Sequence, residues 1–198
     1  MMAKKNIKPE ARILGIDDGP FDKLKKGEVL VVGTVFRGGQ YPDAVLSTKV
    51  QADGNDATDR IIGMVRDCRQ RKQLHAIMVK GIALGGFNVI DIAKLSGRLK
   101  IPVVVVIRSY PDFRKIEEAL LKRVEGGSEK LGIIRRTGKP VPVIVKGKRL
   151  YMQFSGLSED KAKELVLLTA TRSHIPEPIR LSHMIAAGIV LGRSSGQV

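Results

Sequence analysis

The chain has few of the side chains that build disulfide frameworks, cysteine-bound metals or broad stacking surfaces. Cys68 is the single cysteine, so neither a disulfide nor a Cys-type zinc site can form within one chain. Tryptophan is absent and aromatic residues make up 4% of the chain, which argues against a broad platform for single strands. The longest aliphatic run, Val103 to Ile107, is far below the ~20 residues that cross a bilayer. With no signal-peptide stretch near Met1, we expect a cytoplasmic protein with no membrane partner.

Acidic residues are also scarce relative to basic ones. The chain has 35 Lys and Arg against 20 Asp and Glu, a formal net charge of +15 at pH 7. From Lys122 to Arg149, nine basic residues stand against two Glu, a surplus of seven positive charges. This excess favours nucleic acid, DNA or RNA, because neutralised phosphates release condensed counterions. A Lys/Arg-rich thermophile surface is the alternative explanation. The candidate phosphate contacts in this stretch are Arg135, Arg136, Lys146 and Lys148.

Hydrophobic patterning predicts a single α/β domain over residues 1–198, with residues 1–10 as a flexible tail. Extended segments at 12–17, 29–36 and 44–50 are joined by turn-rich connectors and predict an antiparallel meander. Asp56 is positioned to cap the next helix. The predicted elements after it are strand 75–79, helix 88–97, strand 102–107, helix 111–124, a loop at 126–128, a hairpin of 141–145 with 150–154, and helices 158–170 and 179–190. This order predicts a ribonuclease-H-like mixed sheet with helices on both faces.

Two of the predicted strands end in charged residues. The strand at 13–16 runs into Asp17 and Asp18, and the strand at 75–79 runs into Lys80 before a glycine. The carboxyl ends of such strands are where open-sheet α/β proteins place ligand-binding and catalytic groups. A metal-dependent hydrolase would be expected to carry carboxylates at both positions. An acid at one and a cation at the other therefore indicate a nuclease-type frame with an altered metal site.

Several segments together resemble the endonuclease V family, whose nucleases cut a strand near deaminated bases with a carboxylate-bound magnesium. Residues 175–183 are similar to the family's Pro-Glu-Pro-x-Arg-Leu-x-His helix opening, and residues 15–17 to its Gly-Val-Asp first strand. Gln40-Tyr41-Pro42 resembles, one residue shorter, the wedge that separates strands. The resemblance covers nearly the whole chain. It is closest to an uncharacterised, mainly archaeal branch related to endonuclease V, and it implies a ribonuclease-H-like fold and a nucleic-acid partner.

The departures from that family concern its metal and base sites. Lys80 stands where the family has a metal-binding aspartate, and residues 47–49 lack the glutamate of its Phe-Arg-Glu. Gly86 and Phe87 replace the histidine and proline of its base pocket. Arg108 replaces a lysine, which keeps the charge but not the geometry. The residues that match the family unchanged are Asp17, Tyr41 and His183.

Asp17 has two alternative roles. It could help to hold Mg²⁺ or Mn²⁺, which are bound by one or two carboxylates together with substrate phosphates. Alternatively, it pairs with the Lys80 ammonium, which then takes the place of the metal. Asp18 and Asp91 are candidate substitute ligands, although Asp18 points to the opposite face of its strand and Asp91 lies on a predicted helix.

Three functions are compatible with these features. The leading hypothesis is a catalytically degenerate relative of endonuclease V that binds nucleic acid and needs no cofactor. Its vestigial site would contain Asp17, Lys80, Arg108 and His183. The first alternative is a metal-dependent endonuclease with a rearranged acidic site, which would require Mg²⁺ or Mn²⁺. The second is a non-enzymatic scaffold, or a protein that binds small anions at Gly85-Gly86.

Overall fold

A computed structural model describes residues 7–22 and 27–194, and these ranges form one mixed sheet flanked by helices. The strands of the main sheet are β1 (Arg12–Asp18), β2 (Glu28–Arg37), β3 (Tyr41–Gln51), β4 (Leu74–Lys80), β7 (Val103–Ile107), β8 (Val141–Val145) and β9 (Lys148–Ser155), and β5 (Ala83–Leu84) pairs separately with β6 (Asn88–Val89). The helices are α1 (Ala57–Arg66), α2 (Ile92–Leu99), α3 (Phe113–Arg123), α4 (Gly127–Thr137), α5 (Glu159–Thr169) and α6 (Glu177–Leu191).

The seven-stranded sheet has the order β3-β2-β1-β4-β7-β9-β8. The first three strands form the predicted antiparallel meander, and the hairpin of β8 and β9 pairs antiparallel with β7. In the centre, β1, β4 and β7 run parallel. Their carboxyl ends therefore meet at one edge, which we call the carboxyl edge. Asp18, Lys80 and Ile107 are the last residues of these three strands.

Helices cover both faces of the sheet, as predicted. On one face, α1 and α2 bury Leu14, Ile77 and their neighbours, and on the other face α5 and α6 cover Ile13 and Met78. Because side chains alternate along a strand, Asp17 shares the α6 side with Ile13. A smaller apolar cluster joins α3 and α4 to the β5–β6 pair. No helix in the described ranges is long and apolar enough to span a membrane.

Several predicted elements have different bounds in the structure, and the helix α4 was not predicted. The helix predicted over 88–97 begins only at Ile92, because the Asp91 carboxylate accepts the Lys94 N–H and caps it there. Asn88 instead belongs to β6, and its fully buried amide bonds to Gln51, Asp56 and Ala57. The loop predicted at 126–128 is shorter, because α4 begins at Gly127. Asp56 precedes α1 as predicted, but its side chain does not cap that helix.

The amino-terminal tail is described only in part. Residues 1–6 of the expected flexible segment lie outside the described residues. Ile7 donates its N–H to the Glu164 carboxylate at 2.6 Å and packs against the apolar cluster beneath α5. Residues 7–10 therefore lead directly onto the domain.

The last helix lies directly against the first strand. A Cβ added at Gly15 would lie 2.5 Å from the Ile179 nitrogen and closer still to the Pro178 backbone. The Ser182 hydroxyl donates to the Gly15 carbonyl at 2.9 Å, and the Thr34 hydroxyl donates to the Pro178 carbonyl at 2.7 Å. This close packing brings His183, one turn along α6, to the end of β1.

Candidate functional site

The carboxyl edge gathers two basic side chains, Lys80 and His183, around one buried carboxylate, Asp17. Asp17 is 2% exposed, and its Oδ2 lies 3.1 Å from Lys80 Nζ and 2.9 Å from His183 Nδ1. Its Oδ1 accepts the Asp18 N–H at 3.0 Å. The ion pair predicted between Asp17 and Lys80 is thus present, with His183 beside it. We call Asp17, Lys80 and His183 the edge cluster.

The histidine of the edge cluster can be oriented by its carboxylate. When Nδ1 carries the proton and donates it to Asp17, the Nε2 lone pair is directed away from that bond and can take a proton. Lys80 Nζ also lies 3.3 Å from Nδ1. His183 lines a cavity together with Pro20 and Arg193, and the side chains of Lys80 and His183 are each about a quarter exposed. The cluster is therefore accessible from solvent although Asp17 is not.

Asp18, the acid next to Asp17 in the chain, has different partners. Asp18 Oδ2 accepts the Gly85 N–H at 2.7 Å, on the side of the strand opposite to Asp17. Burial, and then repulsion from the Asp17 charge, raise the pKa of Asp18 to about 6. Its carboxylate is thus held by the Gly85 loop and does not join the edge cluster.

Asp91, the other candidate substitute ligand, also lies apart from Asp17. Its carboxylate caps α2, which packs on the opposite face of the sheet from α6. Its other oxygen lies 3.9 Å from the Arg136 guanidinium. The structure therefore gives Asp91 a capping role and does not place it at a metal site with Asp17.

The side chains at the edge do not fit a preformed magnesium site of the kind that the endonuclease V resemblance implies. Within the described ranges, no group of three or more His, Cys, Asp or Glu side chains is arranged to hold a metal ion. Both oxygens of Asp17 already have partners, and the Lys80 ammonium adds positive charge beside them. A divalent cation would have to displace that ammonium.

Two further predicted site residues lie on different parts of the sheet. Arg108 is exposed just beyond the end of β7, at the carboxyl edge. Tyr41 is 47% exposed at the turn between β2 and β3, with the Arg37 guanidinium 5.9 Å from its ring centroid. Arg37 pairs in register with Arg12, at the end of β1 away from Asp17. The structure therefore does not bring Tyr41 to the edge cluster.

Several basic residues of the Lys122–Arg149 stretch are already engaged within the protein. Arg135 pairs with Glu117 at 2.7 Å, and Lys146 donates to the Thr171 carbonyl. Lys130 is 2% exposed and donates to the Asp53 carbonyl, and its burial lowers its pKa. Lys148 is exposed at the start of β9. The basic residues of the stretch are thus distributed over α3, α4 and the β8–β9 hairpin, and several already have protein partners.

Sequence reasoning missed a group of aromatic rings at the carboxyl edge. The Tyr110 ring meets Phe113 edge-on at 5.9 Å between centroids and Tyr151 at 5.2 Å. Tyr151 lies about 40 positions along the chain and reaches Tyr110 because it pairs in register with Ile107. Only the strand pairing, which the sequence does not display, could have revealed this cluster.

Comparison with known proteins defines the class of the fold. Over 87% of this chain and 82% of the other, it is similar to Ciona intestinalis endonuclease V, solved in complex with a 24mer DNA containing an inosine, with a TM-score of 0.56 and 13% identity. A protein of unknown function from Archaeoglobus fulgidus is 38% identical, with a TM-score of 0.82, over 90% of this chain and 98% of that one. The chain thus has the ribonuclease-H-like fold of the endonuclease V proteins, as predicted.

The family follows from the sequence match. Residues 9–190 match the endonuclease dU family, and the chain belongs to it. A UPF0215 protein of Methanothermobacter thermautotrophicus is 48% identical over 192 residues, which cover 97% of this chain and 94% of the relative. The predicted membership of an archaeal family related to endonuclease V is confirmed. A nucleic-acid-related function follows from this membership.

Proposed function

We propose that this protein is an endonuclease that cuts a nucleic-acid strand at deoxyuridine, using the edge cluster. The description of its family as endonuclease dU supports the substrate. The likeness to an endonuclease V bound to inosine-containing DNA supports a deaminated base as the wider class. The observation that carries the proposal is that one buried carboxylate, Asp17, holds both Lys80 and His183 at the accessible carboxyl edge. We also propose the cytoplasmic location expected from the sequence.

In this proposal His183 is the general base. Asp17 accepts a hydrogen bond from the Nδ1–H of the ring, which fixes the tautomer and stabilises the imidazolium that forms later. Nε2 then takes a proton from water, and the water oxygen attacks the phosphorus atom. The bond from phosphorus to one sugar oxygen breaks, and that oxygen leaves with a proton from solvent. The imidazolium finally returns its own proton to solvent.

Lys80 stabilises the charge that develops on the phosphate oxygens. Its ammonium lies next to Asp17 and is partly exposed, so it can approach a bound phosphate while keeping its carboxylate partner. A preorganised donor of this kind acts strongly where water is excluded. Arg108, exposed beyond the neighbouring strand, would bind an adjacent phosphate. No resident metal enters this scheme, in agreement with the side chains present.

A second candidate function is binding without cleavage, the catalytically degenerate role expected from the sequence. The observation that favours it is Lys80 itself, which stands where the endonuclease V pattern has a metal-binding aspartate and is paired with Asp17. In this case the edge cluster would hold a phosphate without activating water.

The experiment is a cleavage assay on an end-labelled DNA strand that contains one deoxyuridine, run in EDTA and again with Mg²⁺. We expect turnover in EDTA. His183→Gln should slow cleavage by roughly 10²- to 10⁴-fold, the usual contribution of a general base. Lys80→Met should slow it by a comparable factor, because one preorganised donor contributes about 10²- to 10³-fold. The matched control is His75→Gln, since His75 is exposed and bonds only locally to the Gln73 carbonyl.

The results of this assay distinguish metal-free cleavage, metal-dependent cleavage and binding without cleavage. Binding of the deoxyuridine strand without cleavage in either buffer would support the second candidate. Cleavage that needs Mg²⁺ and disappears in EDTA would overturn the metal-free scheme in favour of the metal-dependent alternative. Turnover that survives His183→Gln would remove the histidine from the mechanism.

A further inference from the structure

The aromatic rings at the carboxyl edge form an exposed and pre-ordered surface. Tyr110 is 49% exposed, and its ring lies nearly perpendicular to those of Phe113 and Tyr151, whose centroids are 5.9 and 5.2 Å away. Phe113 opens α3 and packs on the apolar cluster of α3 and α4, and Tyr151 lies within β9. Rings held in this edge-to-face arrangement need little further ordering when they bind a flat partner.

Each of these rings has a basic neighbour. Arg108 precedes Tyr110 by two residues and is exposed. Arg149 is also exposed and lies two residues before Tyr151, which puts both on one face of β9. Lys139 lines a groove together with Phe113. We call Tyr110, Phe113 and Tyr151, with Arg108, Lys139 and Arg149, the aromatic surface.

The acidic residues beside the aromatic surface do not cancel its charge. Asp112 caps α3 and lies 3.4 Å from Lys115, and Glu117 pairs with Arg135. Each of these two acids is thus matched by a basic side chain of its own. The three basic residues of the aromatic surface therefore add positive charge around the rings.

The aromatic surface and the edge cluster both lie at the carboxyl edge of the sheet. Lys80 pairs in register with Val106 on β7, and Arg108 and Tyr110 follow Val106 by two and four residues. Tyr151 pairs with Ile107, whose side chain packs on the α1–α2 face, whereas Asp17 and Lys80 lie on the α6 face, so a strand that contacts both sites has to pass over this edge. The Gln153 amide donates to the Gly138 carbonyl at 2.6 Å and ties the end of α4 to β9 beneath the groove.

We propose that the aromatic surface binds an unpaired DNA strand next to the cleavage site, with one base stacked on Tyr110. The proposal rests on the proposed function, in that it takes nucleic acid to bind at the carboxyl edge. Exposed rings between cations suit a strand whose bases are not paired, because each base then offers a flat face while its phosphates meet the charges. In a duplex the same faces are stacked on each other. The preferred substrate would accordingly be single-stranded or locally opened DNA.

The test measures binding and requires no cleavage. The probe is a fluorescein-labelled 12-nucleotide DNA strand without deoxyuridine, compared with its duplex, and the readout is anisotropy over a series of salt concentrations. Tyr110→Ala should weaken single-strand binding by about tenfold, as expected for one lost base–aromatic stack. The slope of log K against log salt should not change, because tyrosine carries no charge. Duplex binding should change much less.

Two further variants separate stacking from other effects. Tyr110→Phe keeps the ring and should bind within about twofold of wild type, whereas Tyr110→Leu keeps apolar bulk without a ring and should resemble the alanine variant. Leu167→Ala, which shortens an exposed apolar side chain on α5, should leave affinity unchanged. Equal losses on single strand and duplex, wild-type binding by Tyr110→Ala, or a loss by Tyr110→Phe as large as that by alanine would each overturn the proposal. The cleavage scheme is judged separately by His183→Gln.

Discussion

At the scale of single residues, two neighbouring acids at the end of β1 have opposite surroundings. The Asp17 carboxylate is paired with the Lys80 ammonium, whereas Asp18 is partly buried beside the Asp17 charge and accepts the Gly85 N–H. The Asp17–Lys80 pair could be predicted from sequence, because both residues end recognisable strands. The contact between Asp18 and Gly85 could not be predicted, because it depends on how a loop between two short strands folds back.

The Asp18→Asn variant tests this difference through the pH dependence of stability. The pKa of Asp18 is raised from 3.8 to about 6 in the folded protein, so the folded state binds its proton more tightly than the unfolded state. The Asp18 contribution to stability therefore falls as pH rises from 3.8 to about 6 and is constant above that. Asparagine can accept the same Gly85 hydrogen bond without a charge. Asp18→Asn should thus be more stable than wild type at pH 7 and equal to it near pH 4.

The measurement is urea unfolding of wild type and variant at several pH values between 4 and 7. Asp59→Asn is the control, because Asp59 is an exposed acid that pairs with Lys94. Its difference from wild type should be small at every pH. A stability gain for Asp18→Asn that does not vary with pH would contradict the raised pKa.

At the scale of secondary-structure elements, the sequence predicted the strands better than the helices between them. Short β-branched runs such as Val103–Ile107 identify buried strands without further information. The helix α4 was missed because Gly126 and Gly127 resemble a turn, although Gly126 adopts a positive φ of 67° only to begin the helix. The start of α2 was misplaced because the Asn88 amide bonds to Gln51 and Asp56, which are distant in sequence.

The packing of α6 on β1 gives a prediction at this scale. Gly15→Ala would force the new methyl group into the Pro178 and Ile179 backbone, and overpacking against main-chain atoms costs about 3 kcal/mol or more. Gly63→Ala is the matched control, since nothing lies within 4 Å of a Cβ at this position in α1. The control should stabilise the protein by roughly 0.5–1 kcal/mol through helix propensity.

Thermal unfolding of the two variants checks the prediction. The melting temperature should fall for Gly15→Ala and rise slightly for Gly63→Ala. Similar shifts for both would mean that α6 can move away from β1 without loss. In that case the position of His183 would not depend on this packing.

At the scale of the whole molecule, the net charge of +15 predicted a polyanionic partner but not where it binds. Net charge alone does not distinguish one basic residue of the Lys122–Arg149 stretch from another. In the structure Lys130 is buried and Arg135 is paired, whereas Lys148 and Arg149 are exposed, and Arg149 belongs to the aromatic surface. Only three-dimensional contacts separate the two groups.

The salt dependence of DNA binding should therefore depend on which charges are removed. Changing both Lys148 and Arg149 to glutamine should reduce the slope of log K against log salt by about 0.7 for each lost phosphate contact on a single strand. The matched double variant, with glutamine at Arg135 and Arg136, should reduce it less, because these two already face Glu117 and Asp91. Anisotropy titrations between low and moderate salt measure both slopes. A larger effect from the second variant would place the bound strand on α4.

The packing of α6 against β1 also determines when this part of the fold can form during synthesis on the ribosome. Ser182 and Gly15, which form a hydrogen bond between α6 and β1, are 167 positions apart. At about 5–20 residues per second of synthesis, β1 emerges on the order of ten seconds or more before the helix that covers it. Throughout that interval the α6-facing side of β1 has no cover from its own helix, and Asp17 has no histidine beside it. The nascent chain therefore cannot assemble the edge cluster until α6 has been synthesised.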